Sequence, residues 1–151
     1  MKGERVLFGV SVILMALVAA AIIWLSVQSV SVAFLDKPDP IGSITFDQLR
    51  GMGAEDAVQA LRGRRVTAAT WALGYGLLFA WVVLEPYRRK ERWAWWALLI
   101  SLVTPQIVSI ARVPFIGTSV GTQAPAMLLA FGLLGLLAGA PSFFLRRTEL
   151  L

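Results

Sequence analysis

The run of residues from Val6 to Leu35 contains no charged side chain, and this feature limits the folds open to the chain more than any other. A helix rises about 1.5 Å per residue, so about 20 apolar residues cross a hydrocarbon core of about 30 Å. The run is longer than that, and polar side chains occur in its last turns: Ser26, Gln28, Ser29 and Ser31. We therefore predict a membrane-spanning helix over about 6–35 that tilts or extends past the hydrocarbon.

The start of the chain also has the form of a secretory signal peptide, with Lys2 and Arg5 before an apolar run. The hydrophobic part of a signal peptide has roughly 7–15 residues, which is much shorter than this run. We therefore expect the segment to be retained as the first transmembrane helix.

Composition indicates the class of protein and excludes several kinds of site. Of the 151 residues, 58% are hydrophobic and 15% are charged, whereas a soluble domain has roughly 25% charged residues. The sequence has no His and no Cys, which removes disulfides, metal sites with His or Cys ligands and His-based catalytic triads. The net charge of +5 comes from residues at the ends of apolar runs, so nucleic-acid binding is not expected. We predict one membrane domain over 1–151, with no metal, no cofactor and no enzymatic activity.

Three further apolar runs follow the first. Pro38 and Pro40 end the first helix because proline cannot continue a helix, and residues 36–65 form the one sizeable polar segment. We predict spans at about 6–35, 66–84, 93–111 and 124–144. The predicted fold class is therefore all-α: an integral membrane four-helix bundle with a short helical extramembrane loop, 36–65, between helices 1 and 2.

Two short helices are predicted within this outer loop. Thr45 and Gln48 have the spacing of a capping box at the start of the first helix, and glycines interrupt it at 51–53. The second helix is predicted over Ala54–Leu61, with acidic residues in its first turn, where the helix dipole favours them. Two interpretations stay open: a loop folded over the end of the bundle, or a lid over a site within the membrane.

The segment 85–92, Glu-Pro-Tyr-Arg-Arg-Lys-Glu-Arg, is a short charged turn between the second and third spans. It holds four basic residues, whereas the connection 112–123 holds one. Short loops rich in Lys and Arg stay in the cytoplasm, so we predict that this turn and both termini are cytoplasmic. Arg64 and Arg65 lie on the opposite side and argue against this orientation. Three tryptophans after the turn fit an interfacial aromatic belt: Trp93, Trp95 and Trp96.

The sequence from Tyr87 to Trp96, YRRKERWAWW, resembles a hairpin of small uncharacterised bacterial four-helix membrane proteins. In those proteins a basic turn ending Glu-Arg-Trp-Ala-Trp opens the third helix. The order of the spans is similar to the layout of the DoxX-like group. The resemblance implies four helices and a location in the bacterial inner membrane, and it implies no activity because these families have no shared catalytic motif to match.

The third predicted span is the most polar, and its polar side chains are the best candidates for a site. Gln106, Ser109 and Arg112 are spaced three residues apart and share one flank of the helix. Tyr75 lies at a similar depth in the second span, so it could meet Gln106. We predict a ligand pocket in the outer half of the bundle, lined by Gln28, Tyr75, Gln106, Ser109 and Arg112. The alternative is that these polar groups bond one another, or free carbonyls, and hold the bundle together.

Proline and glycine residues predict where helices bend and where they approach closely. Pro105 lacks the N–H that would bond the Ser101 carbonyl, so it favours a kink in the third span. Small residues four apart let two helix backbones come close. Ala72 and Gly76, and Gly135 and Gly139, have this spacing. We predict helix packing at these four positions and at Gly132.

Two functions are compatible with these features. The first is that of a non-enzymatic membrane protein that acts through helix association. Its partners would be the lipid bilayer and either further copies of itself or a larger membrane complex. The alternative is a binding or transport module for a small apolar or amphipathic molecule in the outer-half pocket. Proton-coupled transport is disfavoured because no charged residue falls deep inside a predicted span.

Overall fold

In the computed structural model the chain is almost entirely helical, which confirms the predicted all-α class. The structure describes residues 2–35, 40–41, 44–117 and 121–144. In chain order the elements are α1 (Lys2–Phe34), β1 (Pro40–Ile41), β2 (Ile44–Thr45), α2 (Phe46–Gly51), α3 (Glu55–Val82), α4 (Arg92–Ile116) and α5 (Gln123–Phe144). A π-helical turn, Val83–Tyr87, continues α3. Four helices, α1, α3, α4 and α5, are long and apolar enough to cross a membrane.

Helix α1 has the most extensive contacts with other helices in the bundle. It packs along α3 on one side and along α5 on the other, and α4 packs along α5. Helices α3 and α4 touch less extensively. Buried side chains from these helices form one apolar core, which includes Met15, Val18, Leu98, Leu102 and Leu136. The order around the bundle is therefore α3, α1, α5, α4, which leaves α1 and α4 diagonally opposite.

Two helices are longer than the sequence predicted. The short helix predicted over 54–61 and the span predicted at 66–84 form one continuous helix, α3, which begins at Glu55. Helix α4 continues past Pro114 to Ile116, where the sequence predicted a loop from residue 113. It ends at Gly117, whose φ of 76° is the left-handed conformation that glycine tolerates best.

Two arginines account for the unbroken start of α3. Arg62 donates hydrogen bonds from Nε and Nη2 to the Ala33 carbonyl at 2.9 and 2.7 Å. Arg65 Nε donates to Ser29 Oγ at 3.0 Å. Both guanidinium groups lie at the carboxyl end of α1, where the helix dipole favours positive charge. The end of α1 and the start of α3 are thus joined at the end of the bundle next to residues 36–65, which we call the loop side.

The outer loop begins its helical part as predicted. The capping box is confirmed: the Gln48 backbone N–H donates to Thr45 Oγ1 at 3.3 Å, and the Thr45 N–H donates to Gln48 Oε1 at 2.8 Å. Phe46 is buried, and α2 packs against α3. This placement fits a cap over the first turns of α3. The loop positions 36–39 and 42–43 lie outside the described residues.

The opposite end of the bundle, which we call the turn side, is shaped by residues 83–91. Pro86 cannot donate to the Val82 carbonyl, and the chain here widens into the π-helical turn. Lys90 has a φ of 61°, and its ammonium group lies 4.7 Å from the centre of the Phe8 ring on α1. The π-helical turn places the Tyr87 side chain in the core, where it is fully buried.

Candidate functional site

Helices α1 and α5 are in close contact at the turn side. Ser11 Oγ donates a hydrogen bond to the Gly135 carbonyl at 2.6 Å, and it lies 2.6 Å from the Tyr87 hydroxyl oxygen. Serine has one hydroxyl proton, so the Tyr87 hydroxyl is the donor to Ser11. The result is a directed chain of hydrogen bonds, from Tyr87 through Ser11 to Gly135, that joins α1, α5 and the π-helical turn inside the core.

Gly139 makes this close approach possible. A Cβ atom at position 139 would lie 2.5 Å from Ser11 Oγ and would overlap the Tyr87 hydroxyl. The rings of Phe8 and Phe143 lie beside the Tyr87 ring, with centroid distances of 5.9 and 4.8 Å. Among the described residues, side chains therefore fill the turn-side half of the α1–α5 interface.

At the loop side the same two helices leave a groove between them, which we call the α1–α5 groove. Its volume is about 460 Å³, within the range of roughly 300–1,000 Å³ for small-molecule sites. Every lining residue is apolar. They are Leu14, Leu17, Val18, Ala21, Trp24 and Leu25 of α1, and Ala124, Met127, Leu128 and Phe131 of α5. The groove can hold a hydrocarbon surface, and the indole N–H of Trp24 is the one N–H or O–H donor among its lining side chains.

The groove opens sideways from the bundle. Val18 on its floor is only 3% exposed, whereas Leu17, Trp24 and Met127 at its edges are about 60% exposed. In a helix that crosses a bilayer, such edge residues would face lipid tails. The groove would therefore be accessible from within the hydrocarbon layer.

Close packing ends the groove near the middle of the bundle. A Cβ atom at Gly135 would lie 3.0 Å from Met15 Sδ and 3.2 Å from Leu14 Cβ, so α1 and α5 are in tight contact at that level. From Leu14 to Leu25 the α1 wall extends about 16 Å, at about 1.5 Å per residue. That length is close to half of a hydrocarbon core of about 30 Å.

Tyr75, a member of the predicted polar pocket, contacts α4 at a backbone carbonyl. The Tyr75 hydroxyl donates to the Ser101 carbonyl at 2.7 Å, which is the carbonyl that Pro105 leaves without a helical donor. Helix α4 continues through Pro105 without interruption. The contact of Tyr75 with α4 is therefore a bond to a freed carbonyl that joins α3 to α4.

Of the other four predicted pocket residues, three lie on α4 and one lies on α1. Gln106 is only 7% exposed, and Ser109 and Arg112 are half-buried on the same helix. Gln28 is exposed on α1, diagonally opposite α4. Within the part of the chain that the structure describes, no hydrogen bond links any two members of the predicted set. The groove described above lies elsewhere, between α1 and α5.

The predicted helix-packing residues meet neighbours from the same chain. A Cβ atom at Gly76 would lie 3.0 Å from side-chain atoms of Ile22 and of Ile23 on α1, and Ala72 is half-buried one turn earlier. A Cβ atom at Gly132 would overlap the Leu102 side chain on α4. Together with the contacts of Gly135 and Gly139, these positions explain how α1, α3, α4 and α5 come close to one another.

Sequence reasoning did not anticipate the α1–α5 groove or the bonds of Ser11. Helix α1 is apolar on all sides, so the periodicity of its residues does not indicate which face meets which neighbour. A signal was nevertheless present on α5. Glycines occur at 132, 135 and 139, whereas the turns before them carry larger side chains such as Leu128 and Phe131. This change in side-chain size marks where the closely packed turn side of the α1–α5 interface ends and the α1–α5 groove begins.

Comparison of the chain with protein-family models, with curated proteins and with solved structures finds no match. The function proposed below is therefore supported by residues of this chain alone. The resemblance of the Tyr87–Trp96 hairpin to small bacterial four-helix membrane proteins, and of the order of the spans to the DoxX-like group, stays a prediction.

Proposed function

We propose that this chain is an integral, multi-pass membrane protein without enzymatic activity. Large apolar side chains cover the outward faces of the four long helices, with one example from each being Ile13, Trp81, Ile107 and Leu137. Soluble proteins seldom expose contiguous apolar patches of more than a few hundred Å², whereas lipid tails would cover this exterior. The absence of enzymatic activity is supported by a sequence without His or Cys. Among the described residues, no group of acidic side chains is placed to hold a metal ion.

We further propose that the protein binds the apolar part of a small molecule in the α1–α5 groove. The groove itself is the observation that supports this function, because it has the volume of a ligand site, an apolar lining and a sideways opening. Lipid tails are as apolar as the lining, so the hydrophobic effect contributes little inside a bilayer. Binding there would depend on van der Waals contact with a preformed shape.

Helix association with further copies or with a larger complex is the other function compatible with the sequence. It was expected to use the glycine steps of α5, and these glycines contact α1, α4 and the π-helical turn of the same chain. An associating surface would then have to lie elsewhere on the exterior. The groove therefore supports binding of a small molecule better than the glycines support oligomerisation.

We propose that the turn side faces the cytoplasm of a bacterium and the loop side faces the periplasm. The four basic residues of the turn support this orientation. Arg62 and Arg65 contact the end of α1, so these two arginines have a structural role on the loop side. Their presence there is therefore weaker evidence against this orientation. Cysteines introduced as Lys90→Cys and Met52→Cys test the proposal. Labelling of Met52→Cys alone from outside intact cells is expected, and labelling of Lys90→Cys alone would reverse the orientation.

The binding proposal is tested by filling the groove. The variant Ala21→Trp places a large side chain among the lining residues, and Ala20→Trp places the same side chain on an exposed face of α1. The purified protein in bicelles is illuminated with a photoreactive single-chain lipid, and labelled peptides are identified by mass spectrometry. We expect strong labelling of groove residues in wild type and in Ala20→Trp, and loss of that labelling in Ala21→Trp. Equal labelling of all three proteins would contradict a binding groove.

A further inference from the structure

The α1 wall of the groove is continued by a polar residue at the loop side. Gln28 follows Ala21 by seven residues, so the two differ by only about 20° around the helix axis. Gln28 is also one turn beyond Trp24 and Leu25, and its side chain is exposed. The side-chain amide of glutamine is both a donor and an acceptor of hydrogen bonds. The stripe that lines the groove on α1 thus ends in a carboxamide.

The α5 wall ends in the same way. Gln123 is the first residue of α5, it is exposed, and it directly precedes the lining residue Ala124. The groove therefore has two unlike ends. Among the described residues, the loop-side end carries carboxamides from both walls, and the other end is closed by the contact of Gly135 with Leu14 and Met15.

The shape of the groove favours a hydrocarbon tail over a transmembrane helix as its occupant. Helices that associate in membranes use small residues, so that their backbones approach closely. The edges of this groove instead carry bulky exposed side chains, such as Leu17, Trp24 and Met127. A helix from a second copy would also extend past the closed end, whereas a tail as long as one leaflet fits a wall of about 16 Å.

We propose that the groove holds one hydrocarbon tail of an amphiphile drawn from the loop-side leaflet, with the polar head of that amphiphile at Gln28 and Gln123. This inference rests on the proposed binding function and adds to it the class of ligand, its direction and its leaflet. The tail end lies near Leu14 and Val18, and the head-proximal carbons lie near Leu25 and Ala124. Gln28 acts as a specificity-determining residue that distinguishes an amphiphile from a plain hydrocarbon.

The direction of the ligand is tested with two lysophospholipids that carry a photoreactive group at different depths. A group at the end of the tail is expected to label Leu14, Val18 and Phe131, and a group next to the head is expected to label Leu25 and Ala124. The reverse pattern would overturn the proposed direction. Labelling confined to exposed positions outside the groove, such as Ile100 on α4, would overturn binding in the groove altogether.

The role of Gln28 is tested with Gln28→Leu, and with Gln59→Leu on an exposed position of α3 as the matched control. Retention of a lysophospholipid and of a photoreactive alkane with the same chain length is compared. Loss of one hydrogen bond is expected to lower lysophospholipid retention about fivefold in Gln28→Leu, with no change for the alkane. Ala21→Trp should lower retention of both.

The possible outcomes separate this inference from the proposed function. If Gln28→Leu retains the lysophospholipid like wild type while Ala21→Trp does not, the head site is wrong and the binding groove stands. If Ala21→Trp retains both ligands, both proposals fail. Efficient disulfide formation between two copies of Leu17→Cys in bicelles would show a second protein chain as the occupant, and it would overturn the tail proposal.

Discussion

The two ends of the α1–α5 interface differ although the same two helices form both. At the turn side, Ser11 of α1 donates to a carbonyl of α5, and Gly139 lies against the Ser11 and Tyr87 side chains. At the loop side, the same helices enclose a groove of about 460 Å³ with Phe131 at its edge. The size of the residues on α5 accounts for the difference, because glycines allow backbone contact and larger side chains prevent it.

Under the proposed binding function, this contrast places stability and ligand binding in different halves of the bundle. The turn-side half contains a buried hydrogen-bond chain and packed rings, so changes there should unfold the protein. The loop-side half has exposed side chains around a cavity, so changes there should alter ligand retention with little effect on folding. Four experiments test the contrast.

The largest effect is expected from Gly139→Leu. Its added atoms would overlap the Tyr87 hydroxyl and Ser11 Oγ. Overpacking of a filled core typically costs about 1–3 kcal/mol. Displacement of these two hydroxyls would also break their hydrogen bonds, and each buried polar group left unpaired costs about 1–3 kcal/mol more. We expect a loss of folded, monodisperse protein in size-exclusion chromatography in mild detergent. The control is Gly74→Leu, since a Cβ atom at this exposed helical glycine would meet nothing within 4 Å. Normal behaviour of both variants would show that the turn side is not closely packed.

The next largest effect is expected from truncation of a phenylalanine of α5, and a second phenylalanine of the same helix serves as the comparison. Phe143 is 4% exposed and contacts the Tyr87 ring, whereas Phe131 is 49% exposed at the edge of the groove. Truncation of a buried Phe costs about 3–5 kcal/mol, and a substitution on an exposed surface usually changes stability by about 0.5 kcal/mol or less. Thermal unfolding in detergent should therefore detect Phe143→Ala strongly and Phe131→Ala weakly. Equal destabilisation by the two variants would contradict a division between the two halves.

A smaller effect is expected from Tyr87→Phe, which removes the donor to Ser11 and keeps the ring. Hydrogen bonds between transmembrane helices contribute about 0.6 kcal/mol on average and up to about 1.7 kcal/mol. Ser11→Ala should cost more than Tyr87→Phe, because it also removes the bond to the Gly135 carbonyl. Unfolding of both single variants and of the double variant measures the coupling energy. Additive effects of the two substitutions would show that the hydroxyl groups of Tyr87 and Ser11 are not coupled.

The helical class and the approximate positions of the long helices could be predicted from the sequence, because uninterrupted apolar runs dominate it. The Thr45 capping box could be predicted because it depends only on residues three apart. The continuous start of α3 could not, since Arg62 and Arg65 are stabilised by groups on α1 that are distant in sequence. Pro114 was a misleading signal, because helix α4 continues past it to Ile116.

The candidate site was harder to predict than the fold. Polar groups are rare within apolar runs, so the polar residues of the third span predicted a site there. In the structure, Tyr75 of the second span bonds the freed Ser101 carbonyl of the third span. An apolar groove has no polar residue to reveal it, and each of its walls is apolar in sequence whether or not the helices touch. Gln28 belonged to the predicted set, and the structure gives it a different setting, one turn beyond the groove lining.

The smallest effect is expected from Arg62→Gln, which tests how the loop-side end of α1 is held. At this end α1 is joined to α3 by two hydrogen bonds to the Ala33 carbonyl, one from Arg62 Nε at 2.9 Å and one from Arg62 Nη2 at 2.7 Å. A positive charge at the carboxyl end of a helix contributes about 0.3–1 kcal/mol at an exposed site, so global unfolding should change little. Local opening should change more, because the last turn of α1 loses its partner on α3. We expect amide hydrogen exchange over residues 30–35 to become about two- to fivefold faster, while residues 11–19, next to the packed turn side, keep their protection. Arg64→Gln is the control, since Arg64 is exposed on the same turn. Faster exchange along the whole of α1 would show that the two ends of this helix open together. The turn-side half of the bundle would then not be independent of the loop-side half.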